Sequence, residues 1–371
     1  MDVVDDARPT KRPRAAAAAP PARSRSWSDL PVEIAGEILA RVPSFADRAR
    51  FSSACRQWRL AAAELHGGLP PPLPWLVSCY KGAFDSLPYG DRHYLALDSP
   101  ACLACDGGYL LKNPISKAAM ELPGSLSGPP ATAEMKICKL VVMSRDLVAA
   151  IVSTSGGGRA VALCRPGTSR SWSAHHPPGG ADHQLGDLRD IAVHGGKLYA
   201  LHGHGNLCSY DLTKVSSRRP LPPNKLPEEH DVGHHLVPSA TGGELLLVRQ
   251  LYSRFLGRHF NVFVADVGSA RWSEAAASSL RDQLIFVGTG CSRALAASHY
   301  GGVGAMRGNR VFYTDDVEAY SSTHSYLVYD MIMRSNGPVF PTYYDDYLHE
   351  ATRRYRYEDK RYRSWFFPSS V

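Results

Sequence analysis

From Trp75 onward the chain keeps returning to one arrangement, a glycine-rich turn followed by a short run of leucine, aromatic and β-branched residues. His194-Gly195-Gly196 leads into Lys197-Leu198-Tyr199-Ala200-Leu201, and Thr241-Gly242-Gly243 leads into Glu244-Leu245-Leu246-Leu247-Val248. Asp106-Gly107-Gly108, Ser155-Gly156-Gly157-Gly158 and Arg307-Gly308-Asn309 each precede a similar run. Turns of this kind between short apolar runs signal antiparallel β-structure, and they leave little room for a helical bundle. Gly108, Gly158, Gly196, Gly243 and Gly308 lie 50, 38, 47 and 65 residues apart. These intervals bracket the period of roughly 40–50 residues at which four-stranded propeller blades repeat. A second echo, Ser171-Trp172-Ser173 and Arg271-Trp272-Ser273, spans 100 residues, or about two blades. The expectation is a mainly β chain with a β-propeller-like domain over residues 76–371. A loose β-sandwich is the alternative that similar turns permit, and the unequal spacing leaves the blade count open.

Residues 26–66 follow a different period. Ser28 and Asp29 are suited to an N-cap and Pro31 to a first helical turn, where a missing N–H costs nothing. Ile34, Ile38, Leu39 and Val42 then recur at helical spacing. Pro43 ends that helix, and Ser44 with Asp47 has capping-box spacing for a second helix carrying Phe45, Ala49 and Phe51. A third is expected from about Ala54, with Cys55, Trp58, Ala62 and Leu65 facing inward. Residues 67–75, with Pro70, Pro71, Pro72 and Pro74, read as a linker. Residues 1–25 are rich in Ala, Pro and Arg and too poor in large apolar groups to offset ordering entropy, so a disordered basic tail is expected. Within it, Lys11-Arg12-Pro13-Arg14 has the look of a nuclear address.

Leu30-Pro31, Glu33, Ile34, Ile38, Leu39, Val42-Pro43, Arg50-Phe51, Cys55-Arg56 and Trp58-Arg59 together resemble the F-box. The stretch Pro43 to Phe51 looks particularly like plant members. Three short helices cannot hide all their apolar surface from water, and the resemblance implies that a Skp-type adaptor covers the remainder. It implies an adaptor-binding set of Leu30, Pro31, Ile34, Ile38, Leu39, Val42 and Cys55, with Phe51 and Trp58 in the F-box core. Ala54 stands where the family often has valine, a loss of apolar area worth on the order of 1 kcal/mol.

Beyond residue 75 the chain resembles the KIB-type β-propeller-like domain that follows the F-box in a large plant family. Gly195 to Leu201, Tyr210-Asp211-Leu212, Gly290-Cys291-Ser292 and Gly308 to Asp316 carry the likeness. The resemblance implies capture of a protein substrate for ubiquitylation.

Other chemistry finds little support. Cys102-Leu103-Ala104-Cys105 has zinc or redox spacing but lacks a second ligand pair, and no βαβ pattern surrounds it. His202-Gly203-His204, with His194, His234 and His235, could suggest a metal cluster but lacks accompanying carboxylates. No Walker-type loop, Gly-x-Ser-x-Gly elbow or His-Glu-x-x-His run occurs. No catalytic residue, cofactor or metal is therefore expected. The net charge of +7 is concentrated only in the tail, so nucleic acid is not an expected partner. From Tyr343 to Phe367 aromatic and basic residues alternate with acids, which suits a segment closing the last blade. Eight cysteines, no secretory signal and no Asn-X-Ser/Thr sequon point to a reducing compartment, the nucleus or cytoplasm. No apolar run is long enough to span a membrane. The expected function is substrate receptor of a Skp–Cullin–F-box ubiquitin ligase. Its alternative is a scaffold that binds partners without directing ubiquitylation.

Overall fold

The structure, a computed structural model, describes residues 26–65, 67–78, 83–87, 91–94, 102–105, 108–113, 115–127, 135–154, 158–175, 187–210, 230–253, 257–267, 271–301, 306–314, 326–338 and 363–368. The expected basic tail, with Lys11 to Arg14, and residues 343–362 of the aromatic and basic segment lie outside these.

Three helices open the described chain: α1 (Val32–Ala40), α2 (Phe45–Ala54) and α3 (Arg56–Glu64). Ser28 and Asp29 do not cap α1. They belong to a 3₁₀ turn, Trp27–Asp29, which Ser26 and Asp29 close as a reciprocal capping box. The reason is Pro31, which holds the preceding Leu30 in extended backbone and forces the helix to restart at Val32. Ser44 caps α2 by accepting the Asp47 N–H at 3.3 Å. The reciprocal half of the box is missing because the Asp47 carboxylate turns to Arg50 at 2.6 Å. On α2 Ala49 is exposed, and its neighbour Arg48 is buried. Its guanidinium reaches two backbone carbonyls, Val42 and Pro70, each at 2.7 Å, so both stem and head are covered. Cys55 caps α3, and Phe51 stacks on Trp58 at 4.4 Å between ring centroids. Ala35, Leu39, Phe51 and Ala61 form the small core.

The β-region follows as β1 (Trp75–Ser78), β2 (Ala83–Ser86) and β3 (Asp91–Tyr94), then β4 (Cys102–Cys105), β5 (Gly108–Lys112) and β6 (Ala119–Pro123). Next come β7 (Met135–Ser144), β8 (Leu147–Thr154), β9 (Arg159–Cys164) and β10 (Ser173–His175). The sheet of β11 (Leu188–His194), β12 (Lys197–His202) and β13 (Leu207–Tyr210) precedes that of β14 (His230–Pro238), β15 (Leu245–Ser253), β16 (Gly257–Asp266) and β17 (Arg271–Glu274). The last group is β18 (Gln283–Val287), β19 (Arg293–Ala296), β20 (Arg310–Thr314), β21 (Tyr326–Asp330) and β22 (Ser335–Pro338). Finally β23 (Arg363–Phe366) pairs antiparallel with β1, Trp75 opposite Phe366. Among the described residues the strands make six sheets, each built from consecutive strands except where β23 joins the first. That pairing closes a ring.

The unequal glycine spacing now has a cause. Gly108, Gly196 and Gly243 stand at or just before the second strand of their sheets, but Gly158 precedes the third. The longest interval arises because β19 and a 3₁₀ turn, Ala297–Tyr300, are inserted between β18 and β20, which pair in parallel. At Gly195 and Gly196 the hairpin turn needs φ of 53° and 73°, which only glycine adopts without strain. Gly308 is required for another reason: a Cβ there would lie 1.7 Å from the Arg281 carbonyl oxygen.

Tryptophan marks the joints between sheets. Trp172 Nε1 donates to the Pro123 carbonyl at 2.7 Å, and Trp272 Nε1 to that of Gly205 at 2.8 Å. Trp365 Nε1 donates to that of Val287 at 2.9 Å. Each ties its own sheet to the one preceding it around the ring.

The proline-rich segment is no loose tether. The Leu73 N–H donates to the Pro43 carbonyl at 2.9 Å, and its side chain is buried with Leu76, Phe286, Phe312 and Trp365. Phe45 of α2 meets Trp75 of β1 edge-on at 5.5 Å. The helical module and the ring therefore share packed contacts on both sides of the linker.

Candidate functional site

Helix α1 has two apolar faces. Ala35 and Leu39, four residues apart, point into the helical core. Ile34 and Ile38, also four apart, point to solvent and remain 48% and 37% exposed. Pro31 is exposed at the start of the helix, and Leu30, Val42 and Cys55 are partly buried around it. Leu39 is the correction to the expected adaptor-binding set. At 1% exposed it is core, because its one-residue offset from Ile38 turns it about 100° round the helix. Phe51 is buried and Trp58 packs against the same core. Leu60, 46% exposed on α3, was not singled out in the sequence. Its signal was there: it falls off the Trp58, Ala61, Ala62 stripe, and a leucine off the buried stripe is one the fold does not use.

A second candidate site lies in the ring. A cavity of about 680 Å³ sits where β7, β11, β14, β18 and β20 converge. Lys136, Arg189 and Asp231 line it, each the second residue of its sheet's first strand. Deeper in, Asp190 accepts from Lys139 Nζ, from the Ile191 N–H at 2.8 Å and from the Leu236 N–H at 2.7 Å. This single carboxylate therefore joins three sheets. His234 and His235 line the same cavity, whereas His194 and His202 do not. Burial pushes the His235 pKa down to about 4 and also lowers that of His234, so both rings are neutral at pH 7. Among the described residues no group of three or more His, Cys, Asp or Glu is placed to hold a metal ion. Burial raises the Cys208 thiol to about 11 and raises Cys291 as well, so neither presents a thiolate. Cys102 and Cys105 are the two ends of strand β4. No helix among the described residues is long and apolar enough to cross a membrane.

Comparison with known families resolves what these two sites belong to. The model of the KIB1-4 beta-propeller matches residues 84–330, about two thirds of the chain. The chain belongs to the KIB1-4 beta-propeller family. An F-box-like model matches residues 27–66 ahead of the KIB1-4 propeller and takes in all three helices. Comparison with curated proteins gives no match. Among solved structures, a protein of unknown function from Bacteroides thetaiotaomicron is similar at 11% identity and a TM-score of 0.35, over 72% of this chain and 58% of that one. Apo AztD from Citrobacter koseri aligns at 12% identity and a TM-score of 0.29, over 70% of this chain and 66% of that one. Human WBSCR16 aligns at 12% identity and a TM-score of 0.26, over 50% and 56%. Likenesses this low carry no argument about the KIB1-4 chain.

Proposed function

We propose that the protein is a substrate receptor of a Skp–Cullin–F-box ubiquitin ligase. The F-box-like helices bind the Skp-type adaptor, and through it a cullin, while the propeller recruits a protein substrate. The observation that carries this reading is the second apolar face of α1. Ile34 and Ile38 stay in water beside a core already filled by Ala35 and Leu39. Exposed apolar groups of this kind mark a surface that a partner covers. The receptor is not an enzyme in this reading. Other subunits supply the chemistry, and tethering supplies a high local concentration of substrate. It works in the nucleus or cytoplasm, which a fluorescent fusion of the full chain would test.

Replacing Leu30 and Pro31 together by alanine tests the reading. Co-purification with the adaptor should be lost while the propeller stays folded by circular dichroism; undiminished co-purification would remove the proposal. Ala54 is exposed beside Cys55, and its small side chain favours a second reading, a scaffold with weak adaptor contact. An adaptor affinity no tighter than tens of micromolar would favour the scaffold.

A further inference from the structure

Charge around the propeller cavity does not balance. Among the described residues lining it, Lys136, Lys139, Arg159, Arg189 and Arg258 are cationic, and Asp190 and Asp231 are the acids. Both acids are engaged within the wall. Asp190 holds Lys139, and Asp231 Oδ1 accepts from Arg249 Nε at 2.5 Å. Arg189 has an exposed contact with Asp187 at 4.0 Å, a pair that water screens strongly. Among the described residues Lys136 and Arg159 take part in no ion pair. The neutral histidines add nothing to this balance at pH 7.

Arg258 lies over the Tyr313 ring, and the other three cations, Lys136, Arg159 and Arg189, are arranged, not scattered. Lys136 and Arg159 lie opposite the same residue, Ser153, on its two flanking strands, so they share one face of the sheet. Two strand spacings put their backbones about 10 Å apart. Arg189 occupies on β11 the position that Lys136 occupies on the neighbouring β7. A single phosphate or carboxylate cannot bridge such a span. An extended segment of polyproline-II type, with three residues per turn and about 3.1 Å of rise per residue, presents side chains three apart on one face roughly 9 Å from each other, so it can offer each cation its own anionic group. The volume of about 680 Å³ falls within the range of roughly 300–1,000 Å³ usual for ligand pockets. A nucleic acid strand would want open aromatic faces on which to stack. Tyr313 is the one Phe, Tyr or Trp of the described lining, and the Arg258 guanidinium lies over its ring at 5.9 Å.

We propose that the rim formed by Lys136, Arg159 and Arg189 binds a short acidic segment of a protein partner, bearing carboxylates or phosphates. The proposal rests on the substrate-receptor reading and names the chemistry of its substrate. The test uses the full chain and fluorescence anisotropy of three labelled peptides. One carries two glutamates spaced three apart, the second has phosphoserine in their place, and the third has glutamine. The two acidic peptides should bind and the glutamine peptide should not. Arg159→Glu with Arg189→Glu should weaken binding at least about tenfold. Arg145→Glu, a charge reversal at the exposed β7–β8 turn and outside the cavity lining, should leave it unchanged. Equal binding of the glutamine peptide would overturn the proposal. So would an equal loss in Arg145→Glu, or displacement of the peptides by inorganic phosphate or by oligothymidylate at matched charge. Because no adaptor enters this assay, a failure here is distinct from a failure of the Leu30 and Pro31 experiment.

Discussion

Arg48 of α2 and Tyr300 of the ring act on consecutive carbonyls of the same proline-rich strap. Arg48 Nη1 donates to Pro70 at 2.7 Å, and Tyr300 Oη donates to Pro71 at 2.6 Å. One residue from each module thus grips the segment between them, and Leu73 anchors it from within. Burial lowers the pKa of Arg48 and raises that of Tyr300, the expected directions for a cation and a phenol taken out of water. Tyr300→Phe removes the donor and leaves the Pro71 carbonyl without that partner, at a cost of about 1–3 kcal/mol. Urea denaturation should show the loss. A variant as stable as the parent would mean that Leu73 and Phe45 hold the junction alone.

Ile38 and Leu39 are neighbours in sequence and opposites in environment. Ile34→Asp with Ile38→Asp should change stability by no more than about 1 kcal/mol, because both side chains lie outside the core and are partly in water. The same variant should lose the adaptor. Leu39→Ala opens a cavity in the small core and should cost about 2–5 kcal/mol. Chemical denaturation and adaptor pull-down of both variants separate the two roles. If the double aspartate variant were the less stable of the two, the assignment of faces would be reversed.

Among the described residues Asp190 is the acid most deeply built into the ring. It and Lys139 are both buried, and its second oxygen accepts from the Leu236 N–H. Asp190→Ala strands a buried ammonium and should cost about 3–5 kcal/mol. Adding Lys139→Met removes the stranded charge and should recover part of the loss. A double-mutant cycle on urea midpoints reads the coupling, and simple additivity would mean the pair does not act as a unit.

The plan of the fold was legible in the sequence, and its exceptions lie where tertiary contacts override local pattern. Gly195-Gly196 announces its hairpin because the turn chemistry is local. The three-helix module shows in the spacing of Ile34, Ile38 and Leu39, but helical spacing alone does not say which apolar residue turns inward. Packing against Ala61 and Phe51 decides that. Arg48 could not be read as buried, because the carbonyl that receives it, Pro70, lies 22 residues on. The cavity was hidden for the same reason. Lys136, Arg189 and Asp231 hold equivalent places on three sheets, and nothing in their local sequence reveals the equivalence. Trp172 and Trp272 were visible as an echo, yet their partners Pro123 and Gly205 are known only once the sheets are set side by side.

His235 makes the fold sensitive to acid. Burial holds its pKa at about 4, below the value of 6.5 in an unfolded chain. The unfolded state therefore takes up a proton first as the pH falls. The neutral ring's contribution to stability is present in full above about pH 6.5 and is lost as the pH drops toward 4. Each pH unit in that window costs up to about 1.4 kcal/mol. His234, shifted in the same direction, adds to the slope. Its neighbour Asp231 opposes the shift by favouring the charged ring. Urea midpoints at pH 7 and pH 5 should differ in the parent and differ much less in His235→Gln, which has no charge to gain. An equal drop in both proteins would place the acid sensitivity elsewhere.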